Sequence, residues 1–121
     1  TGKESEQMKA MTFEEVNQMV MDIGLPSAYY SWPEKMVPPL PYVLFYYPGT
    51  ENFGADNSVY KVIQNLNIEL YTKEKDFETE AAVEAALEAA GLFWNKSESY
   101  LTSEHMYEVL YEMEVAINAN S

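Results

Sequence analysis

Cysteine and arginine are both absent from the chain. Without cysteine there is no thiol redox chemistry, no disulfide framework and no thiolate metal site. Without arginine there is no bidentate, planar recognition of phosphate. Histidine is nearly absent too, since His105 is the single imidazole. A nucleophile triad or a histidine metal centre needs partners this chain does not have, and His105 reads as an exposed, idle side chain in a hairpin turn. Long apolar runs are also missing. The longest, Tyr42 to Tyr47, has the length of a strand and falls far short of the roughly 20 residues of a membrane helix. The N-terminus shows no apolar signal-peptide core.

Acidic side chains are what the sequence has in surplus. Twenty Asp and Glu face seven lysines, for a formal net charge of −13. Phosphate-backbone binding draws on lysine and arginine clusters, so this balance argues against it. Two readings remain: a charge that keeps the protein soluble, and a surface that must repel nucleic acid. A chain of 121 residues suits one domain, and one of that size buries roughly two-thirds of its unfolded surface without a metal or disulfide.

Residues 1–11 read as a flexible leader in which Met8 and Met11 are two candidate natural starts. Thr12 with Glu15 forms a capping box that opens a first helix over 12–23. Phe13, Val16, Val20 and Ile23 make its apolar stripe, and Gly24 and Pro26 end it. Tyr29 to Trp32 reads as a short edge strand, followed by an extended connector carrying Pro33, Pro38, Pro39 and Pro41. Tyr42 to Tyr47 is a strand that Pro48 and Gly49 terminate, with a polar loop from Pro48 to Asn57 that is expected to be mobile until assembly. Val59 to Thr72 alternates with period two: Val62, Leu66, Ile68 and Leu70 on one side, Lys61, Asn65, Asn67 and Glu69 on the other. Asp76 caps a second helix with the stripe Val83, Ala86, Leu87 and Ala90, ended by Gly91. Leu92 to Leu101 and Met106 to Ile117 form a closing hairpin, and residues 118–121 a flexible tail. One α+β domain over 12–117 follows, with a mostly antiparallel sheet of four to five strands and two helices on one face.

Three groups of residues are candidates for function. Glu69, Glu108, Glu112 and Glu114 fall on the polar side of their strands, either as a plain solvent face or as an acidic channel wall. Glu80, Glu84 and Glu88 form an i, i+4 ladder, either a solvated helix face or a docking face for lysines of a neighbouring subunit. The aromatic residues Tyr29, Tyr30, Trp32, Tyr46, Tyr47 and Phe53 gather around the connector and loop, where they suggest a protein-binding surface centred on Tyr46, Tyr47, Asn52, Phe53 and Asp56. Asp56 and Asn57 lack the spacing of a calcium loop, and no phosphate-binding loop or nucleophile elbow occurs. Neither a catalytic residue nor a cofactor is expected.

Five stretches carry a family resemblance. They are Pro-Pro-Leu-Pro-Tyr at 38–42, Tyr-Tyr-Pro-Gly-Thr-Glu-Asn-Phe-Gly-Ala-Asp at 46–56, Asn-Ile-Glu-Leu-Tyr-Thr-Lys-Glu-Lys-Asp at 67–76, the helix at 78–90, and Tyr-Glu-Val-Leu-Tyr-Glu-Met-Glu-Val at 107–115. Across 12–117 the chain resembles the small tail-terminator proteins of long-tailed, non-contractile phages and prophages. That resemblance implies an α+β fold and a hexameric ring in the virion. It implies a ring that caps the tail tube, meets the head connector and lets DNA pass without specific binding, with no membrane and no cofactor. Assembly would take place in the host cytoplasm. Three alternatives stay open: another connector-ring component such as a stopper or completion protein, an acidic adaptor that mimics nucleic acid, and a carboxylate-dependent hydrolase.

The absences carry their own test. Adding or chelating a divalent cation is expected to leave the melting temperature unchanged at moderate ionic strength, as read by scanning fluorimetry. A shift of several degrees would contradict the reading of a metal-free domain.

Overall fold

The computed structural model describes residues 10–51 and 61–118. Its elements, in order, are α1 (Phe13–Met21), β1 (Ser27–Tyr29), β2 (Tyr42–Glu51), β3 (Lys61–Thr72), α2 (Phe77–Ala89), β4 (Trp94–Leu101) and β5 (Met106–Asn118). The strands form one sheet in the order β1-β2-β3-β5-β4. Every pairing is antiparallel except β1 with β2. The fold is thus the expected α+β arrangement of a mostly antiparallel sheet with two helices.

Both helices begin where their caps require. The Thr12 hydroxyl accepts from the Glu15 amide at 3.0 Å and the Glu15 carboxylate accepts from the Thr12 amide at 2.9 Å. Asp76 accepts from the Thr79 amide at 3.0 Å. Each cap satisfies amides that would otherwise lack a partner at a helix start. Gly24 and Gly91 follow the two helices in the left-handed region, with φ of +89° and +75°, where a side chain would be strained.

The helices cover one face of the sheet. Val16, Met19 and Val20 of α1 and Val83 and Leu87 of α2 pack on Val43, Phe45, Leu66, Ile68, Leu70 and the odd-numbered residues of β5 from Val109 to Ile117. Burying each large aliphatic side chain stabilises the fold by about 1.5–3 kcal/mol. The face turned away from the helices carries most of the polar residues of β3, β4 and β5, with Ile63, Leu110 and Met106 among them. At its β2 end the aromatic connector lies against it, with the Trp32 ring 5.5 Å from that of Tyr42 and the Tyr30 ring 5.4 Å from that of Tyr46.

Several expectations need correction. Strand β2 does not stop at Tyr47. It continues through Pro48 and Gly49 to Glu51, because a bulge between Tyr46 and Gly49 absorbs the proline, and Gly49 then pairs with Asn65; a bulge is one of the few places a sheet tolerates proline. Residues 52–57 of the expected loop, and with them Asn52, Phe53 and Asp56, lie outside the described residues, as do Val59 and Tyr60. The edge strand is Ser27–Tyr29 and not Tyr29–Trp32, since Tyr30 takes a left-handed backbone, φ 70°, that ends it. The connector is not uniformly extended. Lys35 has φ 67°, and the Met36 amide closes a turn onto the Pro33 carbonyl at 3.0 Å. Leu92 precedes β4 as a buried residue. Met11, expected in the leader, bridges to Ile117 with its amide donating to the Ala116 carbonyl at 2.8 Å. Asn118, expected in the tail, belongs to β5.

The Glu80, Glu84, Glu88 ladder is the largest departure, because it is not one solvated face. Glu80 is only 2% exposed. Its carboxylate lies 2.7 Å from the Lys75 ammonium and 2.7 Å from that of Lys96. The Oε1 contact with Lys96 is an ion pair that lacks the alignment of a hydrogen bond. Lys96 also meets Glu84 at 2.7 Å, Lys75 meets Glu98, and the Tyr111 hydroxyl donates to Glu84 at 2.8 Å. The lysines that dock on this helix are therefore the chain's own, and they fasten α2 to the outer strand β4.

Burial pushes the Glu80 carboxyl up, but Lys75 and Lys96 outweigh it and hold it below its ordinary value of 4.5. A depressed carboxylate stabilises the fold above its unfolded value, and that contribution is lost as pH falls through the folded one. Glu80→Gln is expected to cost about 1.5–3 kcal/mol at neutral pH. It should also flatten the loss of stability below pH 4.5. Urea denaturation across that range checks both.

Candidate functional site: the acidic face of the sheet

Strand register decides which of the candidate carboxylates meet. Pairing of Asn65 with Glu114, Asn67 with Glu112, Glu69 with Leu110 and Tyr71 with Glu108 puts all of these on the face away from the helices. Tyr42, Leu44 and Tyr46 extend the same rows on β2, and Asn95, Ser97 and Ser99 extend them on β4. Glu69, Glu108, Glu112 and Glu114 thus share one surface. Glu112 and Glu114 are exposed, while Glu69 and Glu108 are half-buried.

A tyrosine holds the two inner carboxylates together. The Tyr71 hydroxyl lies 2.7 Å from Glu69 Oε1 and 3.0 Å from Glu108 Oε2. It has one proton and serves one acceptor at a time. Tyr46 donates to Glu69 at 3.2 Å and accepts from the Asn67 amide at 3.2 Å. Burial first, then Glu69 and Glu108, push the Tyr71 phenol far above its ordinary range. At Tyr46 the Asn67 bond pulls the phenol down, yet burial and the neighbouring carboxylates outweigh it and the net direction is up. Both phenols therefore stay protonated, as fixed donors among fixed acceptors. The arrangement orders carboxylates.

Farther along this face a groove of about 940 Å³ opens between Pro48, Asn65, Asn67, Phe93, Glu112 and Glu114. Phe93 stands at its rim, 88% exposed. Among the described residues no cluster of three or more His, Cys, Asp or Glu is disposed to hold a metal ion, and no helix is long and apolar enough to cross a membrane.

Of the expected aromatic surface, Asn52, Phe53 and Asp56 lie outside the described residues, and Tyr46 and Tyr47 fall on opposite sides of the sheet. Tyr46 lies on the acidic face. Tyr47 turns to the helix side, packs on the core, and meets the Phe13 ring edge-on at 5.3 Å. Burial, then Tyr29, push the Tyr47 phenol up to about 12. The aromatic surplus is largely spent on pairs within the chain, Tyr29 with Phe45 and Trp32 with Tyr42 among them. Tyr71 and Glu51 were missed as members of the acidic face. Period two from Glu69 reaches Tyr71 directly; Glu51 joins only because β2 continues past its bulge and brings it within 3.5 Å of the Asn65 amide.

The fold is similar to that of a chain in the virion of a native gene transfer agent particle, with a TM-score of 0.52 and 16% sequence identity over 83% of this chain and 84% of that one. At that identity the likeness is one of fold. No protein-family model and no curated protein matches the sequence.

Replacing Tyr71 with phenylalanine removes the donor between Glu69 and Glu108. A hydrogen bond to a charged group in a half-buried place contributes about 1–2 kcal/mol, and Tyr71→Phe is expected to lose that much in chemical denaturation at neutral pH. No change would mean that water replaces the hydroxyl at no cost.

Proposed function

We propose that the chain is a virion assembly protein, a tail terminator whose ring caps the tail tube and joins it to the head connector. The observation that carries this reading is the acidic face, because strand register gathers Glu69, Glu108, Glu112 and Glu114 on the one sheet surface left free of helices. The fold shared with a chain of a virion particle supports it. So does the resemblance of residues 12–117 to tail terminators. In this reading the subunits form a hexameric ring by packing sideways, with their carboxylates toward the lumen. A net charge of −13 then discourages phosphate contacts as DNA passes, within the roughly 8 Å over which charge acts at physiological salt. The ring's symmetry matches the tube's and blocks the next layer of tube subunits. The role is structural and not enzymatic. It is exercised in the virion, after assembly in the host cytoplasm, with the tube protein and the connector protein as partners.

Inactivating the gene in its phage is expected to leave filled heads without tails, together with free tails of abnormal and often excessive length, as seen by electron microscopy. Tails of normal length joined to filled heads in that mutant would refute the assignment.

A further inference from the structure

The two edges of the sheet differ. β1 has three residues and ends in the left-handed backbone of Tyr30. β4 has eight residues, without proline, and forms the other edge. Among the described residues no backbone hydrogen bond outside the β4–β5 ladder involves Trp94 to Tyr100; only the Leu101 carbonyl is taken, by the Glu104 amide. Residues 95–100 are all exposed. A regular edge of that length is a template for another strand unless something defends it.

We propose that β4 pairs with β4 of a second copy of this chain, antiparallel, about a two-fold axis at Ser97. The sequence around Ser97 is self-complementary. Lys96 and Glu98 flank it, then Asn95 and Ser99, then Trp94 and Tyr100. Trp94, Lys96, Glu98 and Tyr100 lie on the helix side, opposite core residues of β5 such as Met113, Tyr111 and Val109. An axis perpendicular to the sheet keeps helix side against helix side, so each residue faces one of its own side. Centred on Ser97, the register sets Lys96 against Glu98 of the second copy, and symmetry repeats that pair. Trp94 then faces Tyr100 and Asn95 faces Ser99. A slip of two residues either way sets Lys96 against Lys96 or Glu98 against Glu98, and like charges directly opposite are destabilising. Charge complementarity therefore selects one register and one partner.

The pairing continues a network already present. Within each copy Glu98 meets Lys75, and Lys96 meets Glu80 and Glu84. Contact of Lys96 with Glu98 of the second copy joins the two networks across the axis. Phe93 comes to face Leu101 of the second copy and loses much of its exposure. The contact covers the edge strand in the free protein. It does not rest on the ring reading, since a closed two-fold pair is a different contact from the head-to-tail one a ring requires.

The absence of cysteine makes crosslinking a clean test of the full chain. Ser97→Cys sets two sulfurs across the axis, where opposed Cα atoms stand about 4.5–5.5 Å apart, within the span of a disulfide. Ser99→Cys is the control, because its symmetry mate is displaced four residues along the strand, about 13 Å. Under mild oxidation Ser97→Cys is expected to form covalent dimer at least about tenfold faster than Ser99→Cys. Sedimentation should show the native chain in a monomer–dimer equilibrium that Ser97→Lys shifts to monomer, with the melting temperatures of the two equal at concentrations low enough that both are monomeric. Equal crosslinking of the two cysteine variants, a dimer that survives Ser97→Lys, or a chain that stays monomeric while β4 accepts a strand of another protein would each overturn the proposal. None of these results bears on the tail phenotype that tests the ring.

Discussion

Strand β3 pairs along its whole length with β5, from Lys61 against Asn118 to Thr72 against Tyr107, with no irregularity. Much of the rest of the structure follows from that ladder. Because successive side chains point to opposite faces, a slip of one residue would turn Leu66, Ile68 and Leu70 to solvent and bury Asn65, Asn67 and Glu69. The apolar set is therefore what holds the register, and the acidic face is its mirror image. The carboxylates need no attraction of their own to gather. They are carried to one surface by the burial of their neighbours in sequence.

A second constraint works at the sheet's outer strand. β4 contributes little to the apolar core beyond Trp94, and its central residues are exposed. The charged cluster of Lys75, Glu80, Glu84, Lys96 and Glu98 is what ties it to α2. A buried carboxylate is costly unless it is paired. With a lysine from each flank, Glu80 becomes a tether between helix and strand. Lys96 and Glu98 of that cluster also set opposite charges two residues apart along the edge of β4.

The connector between β1 and β2 closes the third side. Its prolines and the left-handed Tyr30 and Lys35 turn it back over the β2 end of the open face, where Trp32 and Tyr30 meet Tyr42 and Tyr46. Tyr42 and Leu44 are buried although they lie on the side without helices. The open face is thus divided into an aromatic, covered end and an acidic, uncovered end, and Tyr46 and Tyr71 hydrogen-bond across the boundary.

Local physics was legible in the sequence. Capping pairs such as Thr12 with Glu15, the glycines after both helices, and period two in β3 and β5 are properties of neighbours along the chain. They determined most of the elements, the fold class and the polar side of each strand on which Glu69, Glu108, Glu112 and Glu114 lie. Three features became visible only in the tertiary structure, because each depends on a residue far away in sequence. Pro48 and Gly49 read as a strand terminus until Asn65 offers a partner beyond the bulge. Tyr46 and Tyr47 read as one surface until the sheet assigns them opposite sides. Glu80 reads as a solvated rung of a helix until Lys96, sixteen positions later, crosses from β4 to meet it. Whether an ionised side chain lies in water or under a strand is decided by which strand packs there, and helical spacing alone carries no information about that.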